Sequence, residues 1–507
     1  MYSRVNSNLL EDRLDAEFYS LEQIKNHKIL QDYGVIPLSA YCNGINVGYT
    51  GELTSVYRAQ GTTLFRVSDI DGIFLSNDDV NYVPDDFAAN NPQIWIRDND
   101  IVFAAVGNTI GKVALKTVSM PDGVCSRALM IARPLTDKID SSFLIAYLAT
   151  KYAQKSLLRG VSGSAQPVLN TPLIANLPVI SAESVSQKYI GDKIRQAERL
   201  RAWAKRLERS LDAFIEHFQP EKKEYKKLFS RVPNNLLTNM LTATTYRERY
   251  ISNQKNLKAI SRIQPISYYL SSITNGYDER NEIDNGLPYV KVANVRAGYI
   301  DLKNTPRVRL SALTDASAKQ KPEKGDLLLT RKGSFGIAAV VMESASFLCS
   351  SEVFSCKPSK PEFMPILSWF LNSEAGNMQF WQFSTGTTMP GINQENLQNI
   401  LIPDFSTCDI EQFNSIHKNR YEAKKNAELL TDTAKTLVEA LIEGQLTEQQ
   451  LIQAQQALED GDNSLDQAIL SKLSAEGYAI EGATPLFSDV DELYRLLEEA
   501  AQAEAEE

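Results

Sequence analysis

The chain has 507 residues, 43% hydrophobic and 23% charged, with 53 Lys+Arg against 63 Asp+Glu and a net charge of −10. That length allows about three folding units, and the composition is that of packed domains, which excludes a disordered or fibrous chain. No run approaches the ~18 apolar residues of a membrane span, and no leader-like segment opens the sequence. Five cysteines without a CxxC pair argue against a zinc site or disulfide framework and for buried thiols in a reducing, cytoplasmic setting.

Taken in chain order, the first patterned segment is Phe65-Arg-Val-Ser-Asp-Ile70, whose apolar–polar alternation predicts a half-buried strand. Asp100-Ile-Val-Phe-Ala-Ala-Val-Gly107-Asn-Thr-Ile-Gly111 then predicts a buried strand and a glycine-bounded turn, with a second strand over Lys112–Leu115. The loop Ser164-Ala-Gln-Pro167-Val-Leu-Asn170 leads to Asn176-Leu-Pro-Val179. A long helix follows, with Leu200, Ala204, Leu207, Leu211, Phe214 and Phe218 spaced 4, 3, 4, 3, 4. That spacing is a coiled-coil seam, and Lys193, Arg195, Glu198, Arg199, Arg201, Lys205 and Arg206 fall off it, on the charged remainder of the helix.

After a Lys-rich connection containing Pro220 and Pro233, the series repeats about 225 residues further on. Val290-Lys-Val-Ala-Asn-Val295 matches the first strand, and Asp326-Leu-Leu-Leu-Thr-Arg-Lys-Gly333-Ser-Phe-Gly336, followed by Ile337–Val341, matches the hairpin. Thr387-Thr-Met-Pro390-Gly-Ile-Asn393 matches the proline loop at an offset of 223. Asn399-Ile-Leu-Ile402 then matches Asn176–Val179, and a second long helix repeats the seam at Ala423, Ala427, Leu430, Ala434, Leu437 and Leu441, again at 223. Two unrelated features sharing one register mark an internal duplication.

Residues 446–507 hold 15 acidic residues against 2 basic ones, a local balance of −13, so residues 1–445 carry +3. Binding to nucleic acid depends on where the cations cluster, so the acidic total does not exclude it. In this extension Thr447-x-x-Gln450 and Asp489-x-x-Glu492 predict helix starts, joined by a loop around Gly461 and Asp462. The apolar faces at Leu451, Ile452 and Leu458, and at Leu493, Leu496 and Leu497, need burial. Two covers are open, the chain's own helices or a partner subunit, and docking on a partner is favoured because an end-placed acidic segment leaves the repeated body undisturbed.

Catalytic motifs are missing. There is no GxxxxGK[ST] loop, no GxGxxG after a strand and no Asn/Asp-Pro-Pro-aromatic run; Asn91-Pro-Gln-Ile has neither the second proline nor the aromatic. Pro121-Asp122 has no acidic-x-Lys partner to complete a nuclease set. His217 and His417 fall on the long helices, where solvent or a glutamate is the expected neighbour, and Cys349 and Cys356 fall in a strand region and read as core. No catalytic residue, metal or cofactor is expected in this chain.

The assembled pattern resembles the specificity (S) subunit of type I restriction–modification systems, or of a related methylation-based defence system. The resemblance is carried by Arg13-Leu-Asp-Ala-Glu-Phe-Tyr19, by the hairpin around Arg331-Lys-Gly333-Ser-Phe-Gly336, and by Gly160-x-x-Gly163-Ser-Ala-Gln-Pro167 and Gly386-Thr-Thr-Met-Pro390-Gly. It covers about residues 1–444. Two departures stand out: only Gln187 and Gln412 remain of the Pro-Pro…Glu-Gln segment frequent before the family's helices, and the acidic extension exceeds the usual ending.

The resemblance implies an α+β fold with pseudo-two-fold symmetry, two repeated α/β target-recognition domains separated by two long antiparallel coiled-coil helices. The expected bounds are 1–183 and 240–408 for the recognition domains and 184–218 and 409–444 for the spacer helices, with a linker at 219–239 and the extension at 445–507. It also implies a non-catalytic subunit that binds double-stranded DNA at a bipartite site and directs two methyltransferase subunits carrying S-adenosylmethionine. Motor–nuclease subunits using ATP and Mg would complete a restriction complex for phage defence.

Helices of ~35 residues are roughly 50 Å long, so they serve as spacers between two readers. The expected DNA-binding residues are Arg66, Asp69, Asn108, Thr109, Lys112, Ser164, Gln166 and Asn170 in the first copy. In the second they are Lys291, Asn294, Arg331, Lys332, Ser334, Thr387, Thr388 and Asn393. Polar groups of these kinds suit base edges and phosphates, although Asn170 and Asn393 also suit turn caps. Arg331-Lys332 stands where the first copy has Ala105-Val106, which points to two different half-sites. A protein–protein scaffold of two repeated modules, without DNA, stays open as the alternative, and an enzyme with a diverged site as a third. Salt-dependent duplex binding separates the first two.

Overall fold

The computed structural model describes residues 17–159, 161, 168–220, 231–234, 237, 238, 240, 242–386 and 388–506. Residues 13–16 of the N-terminal motif, Gly160 and 162–167 of the first proline loop, Thr387, and 221–230, 235, 236 and 239 of the connection lie outside the described residues. Two compact units emerge, Met1–Ala204 with Glu422–Glu507, and Lys205–Tyr421, so each long helix contributes one part to each unit.

The first unit opens with helix α1 (Leu21–Tyr33) and strands β1 (Val35–Pro37), β2 (Cys42–Val47), β3 (Thr62–Phe65), β4 (Ile70–Asp71), β5 (Phe74–Leu75) and β6 (Asn81–Val83). Helix α2 (Asp85–Ala89) and strands β7 (Trp95–Ile96), β8 (Ile101–Ala104), β9 (Val113–Leu115), β10 (Gly123–Cys125) and β11 (Leu129–Pro134) follow. Helices α3 (Ser141–Leu148), α4 (Lys151–Arg159) and α5 (Thr171–Ala175), strand β12 (Pro178–Ile180) and the long helix α6 (Ser184–Ile215) complete this part. A six-stranded sheet runs β2-β11-β8-β9-β5-β4, a four-stranded sheet runs β6-β3-β10-β7, and β1 pairs with β12. Every residue of β8 and every residue of α3 is buried, as a strand covered on both faces requires.

The second unit repeats this plan. Its helices are α7 (Glu248–Ile260), α8 (Ala312–Asp315), α9 (Met364–Asn372), α10 (Glu374–Gln382), α11 (Gln394–Leu397) and α12 (Thr407–Ile442). Its strands are β13 (Ile263–Pro265), β14 (Leu270–Asn275), β15 (Glu282–Ile283), β16 (Leu287–Val290), β17 (Val295–Arg296), β18 (Tyr299–Ile300), β19 (Arg307–Val308), β20 (Leu327–Thr330), β21 (Ala338–Val340), β22 (Leu348–Cys349), β23 (Val353–Pro358) and β24 (Leu401–Pro403). The order β14-β23-β20-β21 reproduces β2-β11-β8-β9, and the antiparallel pair β13–β24 reproduces β1–β12. The parallel pair β16–β22 likewise reproduces β3–β10.

Each copy places one aspartate where the buried strand begins, and each pairs it with a cation on the neighbouring strand. Asp100 meets Arg133 at 2.8 Å and Asp326 meets Lys357 at 2.6 Å. Both carboxylates also cap the preceding turn, accepting from the backbone N–H of Arg97 and of Glu323. A buried charge held by a cation and a backbone donor is tolerable; either one alone is costly.

Leu211, Ile215 and Phe218 at the end of α6 and Phe413 near the start of α12 join the core of the second unit. There Phe214 meets Phe413, with ring centroids 5.5 Å apart, and Arg420 bonds Glu208 at 2.6 Å. The partners rise along one helix as they fall along the other, so the two helices run antiparallel. All the seam positions are buried or half-buried.

The extension adds α13 (Glu448–Glu459), α14 (Ser464–Leu470), β25 (Leu473–Ser474), β26 (Gly477–Tyr478) and α15 (Val490–Ala505). Thr447 and Asp489 cap the helices whose starts they predict.

Several expectations are corrected. The strands expected over 65–70 and 290–295 stop at Phe65 and Val290, and 3-10 turns follow. The apolar faces expected to dock on a partner are covered by the chain itself: Leu451, Leu493, Leu496 and Leu497 are buried, and Ile452 and Leu458 half-buried. Lys193, expected on the charged face, is buried. His417 is neither solvated nor set beside a glutamate. It is buried among Phe413, Trp369 and Arg420. Cys408 is exposed, whereas the other four cysteines are buried.

Candidate nucleic-acid interface

In the first unit the chain leaves β8 and turns through a 3-10 segment, Gly107–Thr109. Gly107 and Gly111 have φ of +74° and +100°, a region that side chains with a Cβ avoid. Thr109 Oγ1 closes the turn by donating to the Val106 carbonyl at 3.0 Å. Val106 then pairs with Val168, and the Leu169 N–H donates to the Ala105 carbonyl at 2.9 Å. These bonds lay the end of the proline loop along the hairpin turn. Asn170 ends the loop by capping α5, its Oδ1 accepting from the Leu173 N–H at 2.9 Å.

The second unit makes the same surface. Lys332 pairs with Gly391, and the Ile392 N–H donates to the Arg331 carbonyl at 2.9 Å. Asn393 caps α11, accepting from the Asn396 N–H at 2.7 Å. Gly333 and Gly336 again have positive φ, +70° and +86°. Two motifs about 60 residues apart in sequence thus become one turn-and-loop surface in each unit.

This surface gathers exposed Asn108, Lys112 and Asn170, with half-buried Thr109, in the first unit. In the second it gathers exposed Lys332, Ser334, Thr388 and Asn393. Asn170 and Asn393 use their Oδ1 as caps, and their exposed side chains retain the Nδ2 donors. Ser164, Gln166 and Thr387 lie outside the described residues.

The other expected residues are placed differently. Asp69 and Asn294 are buried turn caps, accepting from the backbone N–H of Arg66 at 2.7 Å and of Lys291 at 3.0 Å. Short polar side chains that bond the backbone this way compete with a strand ladder, which is why the expected strands break there. Arg66 stands on the other sheet of its unit and bonds Asp69, which holds the guanidinium pKa above its usual value. Lys291 occupies the equivalent place and pairs with Glu282.

Arg331 is half-buried. Its Nη1 donates to the Ser351 carbonyl at 3.0 Å and its guanidinium lies 5.4 Å from the Phe354 ring centre. It braces the turn from within, while Lys332, loosely paired with Glu352 at 3.9 Å, lies outside. Nothing in the residue pattern signals that α4 and α10 stand against the hairpins. A Cβ on Gly111 would lie 2.8 Å from Gln154 Oε1, and one on Gly336 would lie 2.9 Å from the Phe380 ring. Among the described residues no group of His, Cys, Asp and Glu is arranged to hold a metal ion, and no helix is long and apolar enough to cross a membrane.

No protein-family model matches the sequence. A curated relative, the type I restriction enzyme MjaVIII specificity subunit of Methanocaldococcus jannaschii, is 28% identical over 165 residues, 31% of this chain and 35% of the relative. The match spans about a third of that relative's length. Among solved structures, the S subunit of a type I restriction–modification system from M. genitalium is 13% identical, with a TM-score of 0.41 over 80% of this chain and 95% of that one. The HsdS subunit from Thermoanaerobacter tengcongensis is 15% identical, with a TM-score of 0.28 over 82% and 97%.

Proposed function

We propose that this chain is the DNA-recognition subunit of a type I restriction–modification or related methylation system, reading a bipartite duplex site with one half in each unit. The observation that carries the proposal is the twice-built turn-and-loop surface, identical in backbone plan and different in its side chains. Asn108 and Lys112 face solvent in one copy, Lys332 and Ser334 in the other. Amide and ammonium donors of this kind suit purine edges and phosphates, and unlike sets fit unlike half-sites. The similarity to a specificity subunit supports the same reading. With α6 and α12 as spacers, the gap between the half-sites would be fixed.

On this proposal the chain supplies no catalysis. Two methyltransferase subunits holding S-adenosylmethionine would modify the site, and motor–nuclease subunits with ATP and Mg would act where a restriction activity is present. The chain is expected in the cytoplasm, where its DNA is.

The test is fluorescence anisotropy of the purified chain with a randomised duplex pool at several salt concentrations, followed by sequencing of the bound fraction. Enrichment of a split motif, with affinity falling as salt rises, is expected. Absence of duplex binding at low salt would refute the proposal and favour the scaffold alternative. Mapping methylated bases in cells with and without the gene tests the partner assignment separately.

A further inference from the structure

The last turns of α4 and α10 repeat an exposure that packing alone does not explain. Leu157 and Phe380 occupy matching places 223 residues apart and are buried, at 1% and 0% exposure. The next residue in each helix turns outward, and both are large and apolar: Leu158 at 48% exposure and Trp381 at 46%. Single exposed apolar residues are ordinary on any surface. The same exposure at one topological position in two copies that share little sequence is not.

Both side chains stand beside the hairpin turns. Leu158 Cδ2 lies 3.9 Å from where a Cβ on Gly111 would be, and the Trp381 ring packs edge-on against Phe335, inside the Gly333–Gly336 turn, at 4.8 Å. Further apolar exposure occurs on the adjoining loops, at Val168 in one unit and Met389 in the other. Exposed Arg249 and Glu374 line the same hollow as Trp381, and Lys332 lies on the neighbouring turn, so two cations and one carboxylate stand near the tryptophan. Amide or ammonium donors beside an apolar group, with cations at the margin, match a major-groove edge. There the donors meet purine acceptors, the apolar group meets the thymine C5-methyl, and the cations meet phosphates.

We propose that Trp381 and Leu158 are specificity-determining base contacts, each reading a thymine methyl in its own half-site. The difference in bulk between an indole and an isobutyl group makes the two contacts unequal. This inference rests on the DNA reading above and names a part of the surface that it left open.

The test uses the full-length chain and a duplex carrying the split motif recovered by selection. Of the four tryptophans, Trp381 is the exposed one, while Trp203 is buried and Trp95 and Trp369 are half-buried. Duplex should therefore shield Trp381 fluorescence from acrylamide in the native chain, and the shielding should vanish in Trp381→Phe. Trp381→Ala should weaken binding about fivefold to tenfold, with the change confined to one half-site, and Leu158→Ala should act on the other half-site. Replacing the contacted thymine by deoxyuridine should weaken the native chain and leave Trp381→Ala unaffected. Both side chains are exposed, so melting temperatures should hold, and Trp381→Leu provides a second variant if the alanine form melts early. Salt-dependent duplex binding with unchanged quenching and unchanged Trp381→Ala affinity would overturn this inference alone. No duplex binding by the native chain would overturn the DNA reading and this inference with it.

Discussion

Replacing Asp466 by alanine should release the C-terminal extension from the first unit. Asp466 sits in the first turn of α14, 2% exposed, and its Oδ1 accepts from the Lys193 ammonium at 2.6 Å and from the Tyr189 hydroxyl at 2.5 Å. The Tyr494 hydroxyl of α15 donates to Oδ2 at 2.5 Å. Burial would push the Asp466 carboxyl up, but Lys193 and the two hydroxyls outweigh it and hold the pKa below its usual value. Burial and the adjacent carboxylate push the Tyr189 and Tyr494 phenols well up. Removing the carboxylate leaves Lys193 buried and unpaired, a loss of about 3–5 kcal/mol. It also strips two hydroxyls of their acceptor, each at about 1–3 kcal/mol. The peripheral pairs Lys188–Glu459 and Arg199–Glu504 are exposed and contribute little.

Urea unfolding of the full-length chain measures the loss, with proteolysis reporting when residues 445–507 come free. Replacing both partners, Lys193→Met with Asp466→Leu, should recover the part owed to the unpaired lysine, since a buried pair can often be exchanged for apolar groups without cost, while the two hydroxyls stay without their acceptor. A single Asp466→Ala chain that unfolds within about 0.5 kcal/mol of native, the range typical of surface changes, would refute the argument. Truncation after Gly444 should likewise lower the stability of the first unit, because the strip of α6 around Tyr189 and Lys193 would lose its cover.

Other expectations are narrower. Burial, helped by Arg420, pulls the His417 pKa down from 6.5 to about 4. A base lowered in the fold contributes stability above its unfolded pKa and loses it as pH falls. Native chain should therefore lose about 2 kcal/mol between about pH 7 and pH 5 that His417→Phe does not lose, read by thermal melts at both pH values. Arg331→Ala should lower the stability of the second unit by about 1–2 kcal/mol through the lost Ser351 hydrogen bond and Phe354 contact; unchanged melting with altered base preference would return Arg331 to the reading set. Gly336→Ala forces a Cβ into φ +86° and against Phe380. It should cost at least about 1–2 kcal/mol and blunt one half-site in the selection assay. Asp69→Ala should destabilise its turn by about 1–2 kcal/mol without changing which bases are selected.

Features governed by nearby residues were legible before the fold was known. The duplication shows as the same local patterns recurring about 225 residues apart. The buried strand and glycine turn after Asp100 and Asp326, the seams of the long helices and the caps at Thr447 and Asp489 all depend on spacing within a few residues. Strand and helix periods record that spacing directly. The pairing of hairpin turn with proline loop was half legible, since both motifs repeat but nothing local says that Val106 meets Val168 or Lys332 meets Gly391. What a polar residue does was settled only by the tertiary structure. Asp69 and Asn294 look like base readers until their oxygens are seen to close turns. Lys193 looks like a solvated helix charge until Asp466, 273 residues away, is folded against it. A charge or an apolar face has no fixed place along a chain. Its burial depends on which distant segment covers it, and that is decided when the whole chain packs.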